Sequence, residues 1–111
     1  MKIQADVYLT TLGLPPMPKR NELSGWERDY VTDKQKYVLD KHGIAYARVK
    51  YKGQASKIIQ VIYDRDSKGL PSPKQIQVLL KHGYEILEIQ KMTRREASIV
   101  IAKFCFDDKD E

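Results

Sequence analysis

Three places in this chain set a hydroxyl beside a cation at the point where a helix is expected to begin. They are Thr32 with Lys34, Ser72 with Lys74, and Thr93 with Arg94 and Arg95. The first backbone N–H groups of a helix lack intrahelical partners, and the helix dipole adds positive potential there, so such a start binds anions, phosphate above all. Lys or Arg in a first turn opposes that dipole by a few tenths of a kcal/mol. A mildly unfavourable choice made in corresponding places points to function. The chemistry offered is recognition of phosphate rather than bond making. Solvated lysines beside hydroxyls that only cap helices are the plain alternative.

The first two sites lie inside an internal repeat. TDKQKYVLDKHGI from Thr32 and SPKQIQVLLKHGY from Ser72 coincide at 7 of 13 positions, 40 residues apart. Thr32 with Gln35 and Ser72 with Gln75 are capping-box patterns, and Pro73 suits a first helical position. Each helix should run for about ten residues to a glycine, Gly43 or Gly83, in a left-handed C-cap. Val38, Leu39, Val78 and Leu79 supply the buried stripe. An extended link follows each glycine, IAYARVKY and YEILEIQKM, and then a second helix. Ala55, Ile58, Ile59 and Ile62 share one face of the first such helix. Ala97, Val100, Ile101 and Phe104 share one face of the second. Thr93 with Glu96 caps the later one; the earlier lacks a Ser or Thr cap, and Gly53 is expected in its place. One unit buries too little to stand alone, and the linker SKGL is short, so the two should pack together.

The expected architecture is α-rich α+β: two tandem helix–link–helix units, 31–68 and 71–104, packed as one small domain. Residues 1–30 precede it as a short strand and a Pro-rich arm, and an acidic tail, 105–111, follows. Ile3, Ala5, Val7 and Leu9 alternate as a strand would, and Trp26 and Tyr30 are expected to pin the arm to the body.

Charge is uneven. Residues 34–103 carry 15 Lys/Arg against 6 Asp/Glu, residues 1–33 carry 4 against 5, and residues 104–111 carry 1 against 4. A basic body with an acidic tail suits nucleic-acid binding, the tail competing for the basic face. The densest stretch, RVKYKGQASK, places Arg48, Lys50, Lys52 and Lys57 around Tyr46 and Tyr51. Cations interleaved with aromatics suit a single strand, charge following the backbone and rings stacking on bases. Tyrosines in the core of an amphipathic strand are the alternative.

Other classes find little support. No apolar run is long enough to span a membrane, and the N-terminus has no signal-peptide core. The single cysteine, Cys105, forms no internal disulfide, which fits a cytoplasmic setting. No metal-ligand spacing or Gly-rich phosphate loop occurs, so no cofactor or small-molecule substrate is expected. His42 and His82 read as helix-end residues. Asp64 and Asp66 lack an apolar setting that would split their pKa values, so the chain is not read as an enzyme.

The run Ser72, Lys74, Gln75, Leu79, Gly83, then Thr93, Glu96, Ala97, Ser98 and Ile101 resembles small helical modules that accompany helicases and exonucleases of phages and bacteria. The first copy matches through Thr32, Lys34, Gln35, Leu39 and Gly43, then Gln54, Ala55 and Ser56. The resemblance spans about residues 31–104 and implies a DNA-associated context without an activity. As a chain of this size the protein is similar to accessory proteins encoded beside replication helicases or polymerase-primases on phages and mobile elements. The expected function is therefore binding of nucleic acid, single-stranded DNA first, in the service of a larger replication or repair protein. The rival is a protein-interaction adaptor or inhibitor of the host-takeover or anti-defence type, docking through the arm with Trp26 as anchor.

Overall fold

A computed structural model describes residues 2–109, with side chains as far as Phe104. The side chains of the acidic tail, 105–111, and of Cys105 lie outside the described residues. The order of elements is β1 (Ile3–Gln4), α1 (Ala5–Thr11), two 3-10 turns (Arg20–Glu22 and Gly25–Arg28), α2 (Asp33–Lys41), β2 (Ile44–Ala45), α3 (Lys52–Ser67), α4 (Pro73–Lys81), α5 (Ile86–Lys91) and α6 (Arg94–Lys109). The protein is helix-rich, as expected, and the described residues include one two-stranded parallel sheet.

The capping boxes form in both copies. Gln35 N–H donates to Thr32 Oγ1 at 3.1 Å while Gln35 Oε1 accepts from Thr32 N–H at 3.1 Å. Ser72 and Gln75 repeat this at 3.3 and 2.9 Å. Each glutamine also uses its amide N–H₂. Gln35 Nε2 donates to Lys52 O at 3.3 Å and Gln75 Nε2 donates to Arg94 O at 3.4 Å. One residue therefore closes a helix start and ties it to the first residue of the partner helix. Gly43 and Gly83 adopt φ of 80° and 86°, the left-handed turn expected after α2 and α4. Leu39 and Leu79 are wholly buried.

Five local expectations are corrected. Residues 2–10 form no continuous strand; only Ile3 and Gln4 are extended, and α1 follows. The alternation read there fails at Val7, which is 45% exposed, while Ala5, Tyr8 and Leu9 are buried at helical spacing. The hydroxyls of Thr10 and Thr11 donate back to Asp6 O and Val7 O, each at 2.8 Å, a helical habit of threonine.

The second link is also not extended: it forms α5. Leu, Glu, Gln and Lys there are good helix formers. A helix satisfies its own backbone where no strand is at hand to pair. The first link does find a strand, β1, with Ile3 opposite Ile44 and Gln4 opposite Ala45. It then turns at Ala47 and Arg48, so Tyr46, Arg48 and Lys50 do not alternate along one strand.

Gly53 is not the N-cap of α3; Tyr51 is. Gln54 takes the capping role, its Oε1 accepting from Lys50 N–H at 2.9 Å and Tyr51 N–H at 3.2 Å. Gly53 is required for another reason. A Cβ there would lie 2.7 Å from Leu23 Cδ2 and 2.9 Å from Glu27 Cβ. This is where the arm lies on α3. Trp26, 58% exposed, does not pin it; Tyr30, though 80% exposed, does, through an antiparallel bridge to Tyr51 and a stack on its ring. Leu23, 4% exposed, and the Gln54 Nε2 bond to Pro18 O at 2.9 Å hold it as well. Gly53→Ala gains about 1 kcal/mol of helix propensity but overpacks this contact at a typical cost of about 1–3 kcal/mol. We expect a net loss of about 1 kcal/mol in urea denaturation, with faster proteolysis between residues 13 and 30.

The N-terminal segment lies between the two units. Ile3 N–H donates to Gly43 O at 3.0 Å, Gln90 Nε2 donates to Thr11 O at 2.8 Å, and β1 packs on α4. Ile3, Tyr8 and Leu9 share one core with Leu39, Ile44 and Ile58 of unit one and with Ile76, Leu79 and Ile89 of unit two. The short linker is held onto the start of α6. Arg94 N–H donates to Gly69 O at 2.8 Å, Arg94 Nε donates to Leu70 O at 3.1 Å, and the guanidinium pairs with Asp66.

Candidate nucleic-acid interface

The glutamine braces put two helix starts side by side in each unit. In unit one these are α2, capped by Thr32, and α3, capped by Tyr51. In unit two they are α4, capped by Ser72, and α6, where Glu96 N–H donates to Thr93 Oγ1 at 3.2 Å and Thr93 Oγ1 donates to Glu96 Oε1 at 3.1 Å. The three hydroxyls are thus engaged in capping, and any anion would meet the cations next to them.

Those cations fall into two groups. Arg48 pairs with Asp6 of α1 at 3.0 Å. Lys52 pairs with Asp29 at 3.7 Å, and Arg94 is bound to Asp66 and the linker carbonyl. Lys52 and Arg94 hold equivalent positions, and both tie a helix start to the segment beside it. Lys34, Lys50, Lys57, Lys74 and Arg95 have no ion-pair partner among the described residues. Of these five, all but the half-buried Lys57 are exposed.

In unit one, Val31 N–H donates to Lys50 O at 2.9 Å and Lys52 N–H donates to Asp29 O at 2.8 Å. Thr32, Lys50, Tyr51 and Lys52 are thereby gathered at one end of the α2–α3 pair, with Lys34 in the first turn of α2. In unit two, Lys74 lies against Gly43 and lines a cleft of ≈ 430 Å³ with Lys2, Asp40, Gln77, Val78 and Lys81. Lys2 pairs with Asp40. The seven-residue spacing of Lys74 and Lys81 shows in the sequence that they share a face of α4. Lys2 arrives there only because β1 is inserted between the units.

The repeat extends to the histidines. His42 and His82 close α2 and α4. Each packs on an aromatic of the second helix of its own unit: His42 meets Tyr63 edge-on at 5.7 Å and His82 stacks on Phe104 at 4.0 Å. Burial, then repulsion from Lys41, holds the His42 pKa below its ordinary 6.5, despite the opposing pull of Asp66. The unfolded chain then binds the proton more readily than the folded one, so stability is complete above pH 6.5 and declines as pH falls from there toward the folded pKa. His42→Gln is expected to flatten the fall in thermal midpoint between pH 7 and pH 5, about the window in which histidine titrates. A proton NMR titration should place the His42 midpoint below 6.5.

Among the described residues no group of His, Cys, Asp and Glu side chains converges as a metal site requires. No helix among them is long and apolar enough to cross a membrane. Compared with known proteins, the chain matches no family model, no curated protein and no solved structure.

Proposed function

We propose that this protein binds nucleic acid, single-stranded DNA in the first place, as an accessory to a larger replication or repair protein. One observation carries the reading. Within a segment of 15 Lys/Arg against 6 Asp/Glu, Lys34, Lys50, Lys57, Lys74 and Arg95 have no ion-pair partner among the described residues. Ion pairing inside a protein would satisfy such groups; leaving them free suits a polyanion outside it. Two equivalent units at a fixed separation raise the effective concentration of the second contact once the first has formed. The replication partner, a helicase or polymerase-primase of a phage or mobile element, rests on the motif resemblance alone.

The second reading is an adaptor or inhibitor that docks on another protein through the arm. The 58% exposure of Trp26 favours it, since a large aromatic left in solvent is a common interface anchor.

Fluorescence anisotropy with labelled single-stranded and duplex oligonucleotides, from about 50 to 200 mM salt, tests the first reading. It predicts tighter binding to the single strand, and affinity falling steeply with salt. No binding to either form at the low end of that range overturns it and leaves the arm-mediated reading, to be pursued by capture of a partner with and without Trp26→Ala.

A further inference from the structure

We infer that Tyr30 forms, with Tyr51, a stacking platform for an unpaired base, an inference that rests on the nucleic-acid reading above. The two rings lie nearly parallel, 14° apart, with centroids 6.0 Å apart. Their backbones are paired as opposite residues of an antiparallel bridge. The flanking bonds, Val31 N–H to Lys50 O at 2.9 Å and Lys52 N–H to Asp29 O at 2.8 Å, fix the bridge on both sides. Tyr30 is nonetheless 80% exposed, the most exposed of the large hydrophobic side chains in the described residues. It therefore adds little to the core, yet it is held in place.

A ring fixed in orientation and left in solvent is arranged for a flat partner, because its ordering cost is already met in the free protein. The surroundings select the partner. Segments 27–36 and 48–57 contain 7 Lys/Arg against 3 Asp/Glu, and Lys34 and Lys50 beside the bridge have no ion-pair partner among the described residues. An aromatic face beside unpaired cations takes a base and its phosphate together. A duplex, with its bases stacked inward, offers no such face. The platform thus gives a physical reason for the single-strand preference, and it places a residue of the arm in the binding surface.

The test compares two labelled oligomers of equal length and charge, oligo-dT and an abasic sugar–phosphate chain, at about 50 mM salt. The wild-type protein should prefer oligo-dT by roughly 5- to 150-fold, the range of one base–aromatic stack. Tyr30→Leu should lose most of that preference while keeping its affinity for the abasic chain and its salt dependence. Tyr30→Trp should keep the preference. Thermal melts will show that both variants fold, as expected for so exposed a position. Equal wild-type affinity for the two oligomers, or an unchanged preference in Tyr30→Leu, overturns the platform and leaves phosphate-driven binding standing. Absence of binding to both oligomers overturns the nucleic-acid reading and the platform with it.

Discussion

Deleting residues 2–12 is expected to abolish cooperative folding of the remaining chain, although both repeats stay intact. Ile3, Ala5, Tyr8 and Leu9 are 0–1% exposed in the shared core. Truncating a single buried side chain of the size of Ile3, Leu9 or Tyr8 costs about 2–5 kcal/mol. Losing all three at once approaches the roughly 5–15 kcal/mol that holds a whole domain. The deletion also removes the strand that pairs with β2 and the carbonyl that receives Gln90, so polar groups of both units lose their partners. Circular dichroism in a urea gradient should show a broad, weak transition in place of a sharp one.

Two point variants separate packing from hydrogen bonding in the same region. Tyr8→Ala should cost about 3–5 kcal/mol, as for other buried aromatics. Tyr8→Phe should be close to neutral, because the buried Tyr8 hydroxyl has no hydrogen-bond partner within normal geometry, though it lies beside Arg65. Burial pushes that hydroxyl up to about 12, so it stays protonated and brings no pH dependence of its own near neutrality. A sharp transition with an unchanged midpoint in the deletion variant would show that the two units hold together without the N-terminal segment.

What could be read in the sequence follows from how far apart the interacting residues are. The boxes at Thr32–Gln35 and Ser72–Gln75 close within three residues, and the turns at Gly43 and Gly83 are set by single positions, so local pattern specifies them. The β1–β2 pairing joins Ile3 to Ile44, and the α5–α1 tie joins Gln90 to Thr11 across 79 positions. Neither leaves a local signature, and without them residues 2–10 read as a strand and YEILEIQKM as an extended link. Gly53 shows the same limit. Its chain position suggested a cap, and only the approach of Leu23 and Glu27 reveals why it has no side chain. At the candidate interface, residue type and spacing identified the cations. The fold decides which of them are free, because Asp66, Asp29 and Asp6 occupy Arg94, Lys52 and Arg48 from distant segments. Tyr30 was legible as an aromatic that pins the arm, but not its partner; its stack on Tyr51 joins two segments 21 residues apart.

Reversing the two corresponding lysines, Lys34→Glu with Lys74→Glu, should separate binding from stability more cleanly than any other change. Both side chains are exposed and neither has an ion-pair partner among the described residues, so no internal ion pair is lost with the charge. Acidic residues in a first turn favour the helix dipole by about 0.3–1 kcal/mol each, so the double variant should be as stable as the wild type or slightly more. Binding should move the opposite way. For single strands the logarithmic salt slope is about −0.7 per phosphate neutralised, so losing two contacts should make it shallower by about 1.4. Affinity for oligo-dT should fall by roughly tenfold or more, and by a similar factor for every sequence, since phosphate contacts carry no base information. Arg94→Glu is a poor substitute for this experiment. It breaks the Asp66 pair and the bond to Leu70 O, and a loss of binding would then be confounded with loosening of the linker. Lysines that cost the helices a little stability, and whose reversal raises stability while removing binding, would be cations kept for a partner. Unchanged affinity and salt slope in the double variant would mean that the paired helix starts lie outside the binding surface, and the repeat would then be explained by the core it builds from two similar halves.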